Sequence, residues 1–263
     1  MNFNAGTLSA LLRHSWLHAG RIMIRWRREP AAVLATVILP ICLLVVYKAV
    51  LGEQIHKVTG VDSIYGLVPM CAVLAGMFGA LGGAVGIPME RSSGLLSRMW
   101  VLPVHRASAI GGRLIAEAAR ALLGTILITI VGTGMGLRFA HGWHTAIAYI
   151  LIPPLVVVGF TALVMTLAVR SNGRAIVTYL AAAITALVFI SSGTTPVALF
   201  PHWIQPVVRV QPMSPPIEVM RALAHEGPVL LPLGLTVAWA VALIALFIPL
   251  AVRGYRVAAE CSA

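Results

Sequence analysis

Ionisable and nucleophilic side chains are sparse in this sequence, and the few that lie close together define the chemistry it can hold. Glu117 and Arg120 stand one helical turn apart inside an apolar run, a spacing that lets a carboxylate and a guanidinium pair on one helix face. They read as a structural pair rather than a proton relay, because an ion-coupled carrier needs more mid-membrane ionisable groups than this chain offers. Lys48 lies near the end of its apolar run, where its stem can snorkel outward. His141-Gly-Trp-His144 brings two imidazoles together without a carboxylate or cysteine beside them, which makes a weak zinc site. Ser191, Ser192 and Ser214 have no base partner legible in the sequence, and no apolar run holds paired carboxylates. Cys42, Cys71 and Cys261 are widely spaced and no CxxC occurs, so apolar filler is the better reading than a disulfide framework or metal site. Nothing resembles GxxxxGK(S/T), which excludes P-loop nucleotide hydrolysis. No catalytic, cofactor-binding or metal-binding residue is assigned.

The elements that carry these residues are apolar and long. Of 263 residues, 59% are hydrophobic and 10% charged, with a mean hydropathy of +0.94. A soluble domain carries roughly a quarter charged residues. The deficit predicts an all-α polytopic membrane protein with a single membrane domain over 1–263. A span needs about 20 apolar residues to cross the hydrocarbon, and six windows qualify: about 31–51, 64–87, 114–137, 146–169, 175–196 and 229–252. Prolines within or beside them (Pro40, Pro69, Pro153, Pro154, Pro249) are tolerated where neighbouring helices satisfy the freed backbone. Glycines crowd the second window from Gly76 to Gly86, which reads as close helix packing in preference to a substrate path.

Basic residues in the connections set the orientation. Arg13, Arg21, Arg25, Arg27, Arg28, Arg91, Arg98, Arg106, Arg113, Arg170, Arg174, Arg253 and Arg256 fall on one side. Lys57, Arg138, Arg209 and Arg221, with Lys48 near its span end, fall on the other. The first side is therefore expected to be cytoplasmic, with both termini inside and the chain in the plasma (inner) membrane. The net charge of +11 is spent in these short clusters, which argues against nucleic acid as a partner. No cleavable signal peptide is apparent in the first thirty residues.

Three segments are neither spans nor plain loops. In residues 8–28, Leu8, Leu11, Leu12, Trp16, Ala19, Ile22, Met23 and Trp26 share one face, with five arginines opposite and Leu17 and Ile24 as exceptions. That pattern predicts an interfacial helix anchored by Trp16 and Trp26. Residues 197–228 hold six prolines among apolar residues and are expected to form short helices dipping into the outer leaflet, with Phe200 and Trp203 at the headgroup boundary. The third segment, 88–103, is bracketed by Pro88 and Pro103 between the second and third windows. Glu90, Arg91, Ser92 and Ser93 suit a helix start, Leu95, Leu96, Met99 and Trp100 give an apolar side, and Arg98 offers a charge away from it. Such a helix can seat in a cleft of a soluble ATPase, or it can be an amphipathic loop that buttresses the bundle; the composition leaves both open.

The plan as a whole resembles an ABC-2 type transporter permease. The run Glu90-Arg-Ser-Ser-Gly-Leu-Leu-Ser-Arg-Met-Trp-Val-Leu-Pro-Val-His-Arg-Ala-Ser108 is similar to the actinobacterial daunorubicin-resistance-type permeases. So is Phe200-Pro-His-Trp-Ile-Gln-Pro-Val-Val-Arg-Val-Gln-Pro-Met-Ser214. That group includes mycobacterial permeases implicated in exporting phthiocerol dimycocerosate lipids. The resemblance covers nearly the whole chain. It implies a type V exporter architecture, a partner ATPase in two copies that holds the ATP and Mg, and a second permease, identical or a sister chain. It makes 90–103 the coupling helix, with Glu90, Arg91, Ser93, Gly94, Leu95, Leu96, Arg98, Met99 and Trp100 against the ATPase. It also implies a cargo path where two permeases meet, commonly lined by the second and fifth spans. The cargo expected on this reading is a lipid or amphipathic drug moved outward through the membrane. The alternative is a non-transporting scaffold or a subunit of a membrane-embedded enzyme complex.

Overall fold

Prolines and short polar residues punctuate a chain that is otherwise helix. The computed structural model describes residues 8–28, 30–92, 108–140, 142–170, 173–225 and 227–260. Helix α1 spans Leu8–Arg28 and α2 spans Pro30–Thr59. Proline suits the first position of α2, where its missing N–H has no intrahelical partner to lose. Gly60, at φ 71°, closes α2 by donating its N–H to His56 O at 2.9 Å, a left-handed stop that glycine takes without steric cost. Helix α3 (Ile64–Ser92) begins where the Asp62 carboxylate accepts the Ile64 N–H at 3.0 Å. Helices α4 (Ser108–Gly134), α5 (Trp143–Arg170) and α6 (Gly173–Phe189) follow. A turn then leads into a 3-10 turn at Val197–Leu199 and two short helices, α7 (Gln205–Val210) and α8 (Ser214–Ala224). Helix α9 runs Leu230–Glu260. Among the described residues there are helices, turns and short connections but no strand, the all-α architecture the sequence predicts.

Helix α3 is the axis of the bundle. It packs against α2, α4, α5, α6 and α8, and most of its Ile64–Ala84 stretch is buried. Leu67, Met70, Cys71, Met77 and Leu81 of α3 meet Ile128 of α4, Val157 and Met165 of α5 and Ile184 of α6 in one apolar core. Helix α9 is its opposite: it lies on α5 and α8, and little of Leu230–Gly254 is buried. Its exposed Val237, Val241 and Leu246 suit a lipid-facing surface. Buried threonines are kept satisfied on the helices themselves. Thr125 and Thr161 donate to carbonyls four residues back at 2.8 and 2.7 Å. The Thr166 hydroxyl reaches Ala162 O at 2.9 Å and, across to α9, Phe247 O at 2.8 Å.

By length and apolarity, four helices among the described residues qualify to cross a bilayer: the main parts of α3, α4, α5 and α9. A fifth is α2 taken as one bent span, Leu34–Val50 and Gly52–Val58 meeting at 57°. The window expected at 175–196 contains a shorter apolar helix, Val177–Phe189, because the chain turns at residues 190–195 instead of continuing.

Candidate functional site

The segment expected to couple the chain to an ATPase joins α3 to α4. Glu90 and Arg91 fall in the last turn of α3. Ser93, Gly94, Leu95, Leu96, Arg98, Met99 and Trp100 lie outside the described residues. The two helices that the segment connects are described, and they run antiparallel: Gly83 of α3 lies beside Glu117 of α4, Gly76 beside Ala121, and Val68 beside Gly132.

Near the segment, the two helices are held by a buried charge cluster. Arg120 donates to the Glu117 carboxylate, and the two residues are 7% and 2% exposed. Closer to the segment, Arg113, also buried, donates to the backbone carbonyl of Gly83 at 2.8 Å. The α3 glycines make this possible. A Cβ at Gly83 would lie 2.2 Å from Glu117 Oε1, and one at Gly79 would lie 3.0 Å from Arg120 Nε. At Gly76, Gly79 and Gly83 the glycine-rich stretch is thus close packing, and part of what it packs against is an ion pair. Such a pair in an apolar interior is tolerated only while both partners stay matched.

Helix α1 completes the cluster. Its Ser15, His18 and Ala19 sit on the first turns of α4, where a Cβ at Gly111 would come within 2.4 Å of Ser15 Oγ and one at Gly112 within 2.4 Å of His18 Cβ. Two turns later, the Trp26 ring lies 5.4 Å from the Arg120 guanidinium carbon, within range of a cation–π contact. The single apolar stripe expected for α1 is therefore divided. The backbone-close seat on Gly111 and Gly112 admits only small residues, so Ser15 and Ala19 are buried while Trp16 is 67% exposed. Of the other residues expected at the membrane boundary, Trp203 is 79% exposed and Phe200 is half-buried.

A second polar cluster closes the opposite end of α3. Ser191, Ser192 and Ser214 are fully buried. Ser191 donates to Val188 O at 2.7 Å, and Ser214 Oγ accepts from the Ser192 N–H at 3.2 Å and from Gln211 Nε2 at 2.9 Å. Gln211 also donates to Ile190 O at 2.8 Å, and Arg221 of α8 donates to Ser192 O. These hydroxyls are engaged with backbone groups and an amide, so they serve as structural caps for the end of α6. Gly66 and Gly193 let the chains approach: a Cβ at Gly66 would sit 2.6 Å from Gly193 O. Gln211 and Arg221 carry no sequence signal for this role, because their partners are backbone carbonyls more than twenty residues away.

Outside the bundle's interior, Lys48 of α2 pairs with Asp62. Partial burial pushes the Asp62 carboxyl up, but hydrogen bonds from Lys48 and the Ile64 N–H, with the Lys48 charge, outweigh it and hold it below the usual carboxylate value. His141 lies outside the described residues, and among those described no group of three His, Cys, Asp or Glu is placed to hold a metal.

Helix α6 differs from the others in what it shows. It packs mainly on α3, and Thr178, Tyr179, Ala182, Ala183, Thr185, Ala186 and Phe189 are exposed. Its partner α3, by contrast, has little free surface.

These features define a multi-pass helical membrane protein whose polar groups tie helices together. A family model described as ABC-2 type transporter matches residues 14–224. The chain belongs to the ABC-2 type transporter family. It is 36% identical over 241 residues to a probable doxorubicin resistance ABC transporter permease protein DrrC of Mycobacterium tuberculosis, covering 91% of this chain and 87% of that protein. It is 23% identical over 260 residues to the daunorubicin resistance ABC transporter permease protein DrrB1 of Streptomyces coeruleorubidus, covering 96% and 88%. A putative transport permease ycf38 of Porphyra purpurea is 26% identical over 205 residues, covering 76% and 70%.

Proposed function

We propose that this chain is the permease subunit of an ATP-driven exporter that moves a lipid or amphipathic drug from the cytoplasmic face outward. It works with two copies of an ATPase, which hold ATP and Mg, and with a second permease, identical or a sister chain. The observation that carries the reading is the buried Glu117–Arg120 pair, with Arg113 on Gly83 O, which clamps α3 to α4 in the halves of the two helices nearer the joining segment. A push on the segment joining these helices is passed to α3 as a unit, because the clamp resists their sliding apart. Since α3 contacts five other helices, a tilt there reaches the whole bundle. The differential fit of the ATPase to the two permease states supplies the free energy. The exposed face of α6, where Ala182, Ala183 and Ala186 lie between Tyr179 and Phe189, suits the meeting with the second permease and the path of an apolar cargo.

The test is to purify the tagged chain from its native membrane, look for a Walker-motif ATPase, and measure ATP-driven uptake of a fluorescent anthracycline into inverted vesicles. Arg91→Ala or Gly94→Trp is expected to abolish ATPase association or to leave ATP hydrolysis running without uptake. A chain that is functional and stable with no ATPase would sink the proposal.

A further inference from the structure

At the end of the bundle opposite the α3–α4 segment, one side chain joins three parts of the fold. Arg221 reaches from α8 to the turn after α6, where it donates to Ser192 O. On its way it lies over Gly66 of α3, where a Cβ would come within 2.7 Å of Nη2. Only a residue without a side chain leaves that room. The turn is also held by its own amides. The N–H groups of Ser191, Ser192 and Gly193 donate to Val188 O at 3.1 Å, to Ser214 Oγ at 3.2 Å and to Ser191 Oγ at 3.3 Å.

Glu218 stands one helical turn before Arg221 on α8, a spacing at which opposite charges attract. It is part-buried, and the charges acting on it are Arg221 and, from α7, the exposed Arg209. Helix α8 also packs on α3, α5 and α9. The ionisable side chains at this end of α3 are Tyr65, stacked on His225 at 4.9 Å, and just before the helix Asp62, paired with Lys48. Those of α5 are His144 and Tyr149, while residues 230–252 of α9 and 190–200 of the turn carry none. Burial pushes the Glu218 carboxyl above the usual carboxylate value, and the two arginines offset only part of that rise. Glu218 therefore takes up a proton at a pH where an ordinary carboxylate is still ionised.

We propose that Glu218 and Arg221 form a proton-operated latch on the end of α6, closed while Glu218 is ionised and released when it is protonated. The ionised carboxylate matches the guanidinium and keeps it on Ser192 O. A proton on Glu218 removes that match, and an unmatched charge is costly to keep among apolar residues. Arg221 then turns toward water, and the turn loses its link to α3 and α8. Once the guanidinium has left, its pull on Glu218 is gone and the carboxyl holds its proton more tightly, so acid favours the released form. The latch is a property of this end of the fold and is independent of the export reading.

The test is hydrogen exchange of the 190–195 amides in the full chain in lipid nanodiscs, from about pH 7.5 down to about pH 5, normalised to the intrinsic exchange rate at each pH. The wild type is expected to lose about threefold of its protection in this turn on acidification, the scale of a part-buried charge pair. Glu218→Gln, neutral at every pH, should show the lower protection throughout and no step. Arg209→Gln leaves both latch residues in place and removes one of the charges that favour ionised Glu218, so its step should move to higher pH. That variant keeps the test decisive even if Glu218→Gln folds poorly. Protection that does not change with pH in the wild type, a step that persists in Glu218→Gln, or a step that stays in place in Arg209→Gln would each overturn the latch.

Discussion

Glu117 illustrates how one residue can be both costly and necessary. Buried at 2% exposure, it is matched by Arg120 and hemmed in by Gly83. Removing its charge leaves a buried guanidinium unmatched. Glu117→Gln is therefore expected to destabilise the purified protein by about 3–5 kcal/mol. The double change Glu117→Gln, Arg120→Met should recover much of that loss, because no uncompensated charge remains. Thermal unfolding of the four proteins of this cycle in detergent measures the coupling. Gly86→Ala, three residues from Gly83 but with nothing among the described residues within 4 Å of its Cβ, is the control and should stabilise α3 by roughly 0.5–1 kcal/mol. The i, i+3 spacing made the pair legible in the sequence. Its third and fourth members, Arg113 and Trp26, were not, since they act through a backbone carbonyl on α3 and a ring contact from α1.

At the scale of elements, the junction between α2 and α3 depends on Asp62, which caps α3 and pairs with Lys48 of α2. Its folded pKa lies below its unfolded value, so its contribution to stability is present above the unfolded pKa of about 3.9 and is lost as pH falls through the lower, folded pKa. Melting curves across the acid range should show the wild type losing an advantage over Asp62→Asn as pH drops below about 4. Equal slopes for the two proteins would mean that the cap and ion pair contribute nothing. The helices themselves were largely readable: α3, α4, α5 and α9 start or end within a few residues of their apolar windows. The early end of α6 was not. Gly173–Phe189 is as apolar as the neighbouring long helices, and what stops it is the tertiary cap formed by Gln211, Ser214 and Arg221 on the turn that follows.

For the whole molecule, the contrast between α3 and α6 organises the proposed transport path. Ala182→Trp and Ala186→Trp add bulk to an exposed helix face, so they should leave the fold of the single chain intact. If that face meets a second permease or the cargo, each change should lower ATP-driven uptake about tenfold or more, the scale of overpacking an interface. Val241→Trp on the exposed side of α9 should leave uptake near the wild-type level. Equal effects at the two helices would remove α6 from the path.

The sequence by itself determined the all-helical membrane class, the windows where most long helices form, the pairing of Glu117 with Arg120 and the family. Each of these follows from local information: hydropathy over about 20 residues, residues one turn apart on a helix, or contiguous motifs. Tertiary structure decided which of the similar apolar helices is central, which face of α1 is seated on α4, and where α6 ends. Those outcomes depend on which surfaces approach closely enough to exclude a Cβ, at Gly83, Gly112 and Gly66. Hydropathy is nearly the same all round apolar helices such as α3, and on α1 the apolar stripe is split between the seat on α4 and an exposed side, so only the packing itself decides which face is covered.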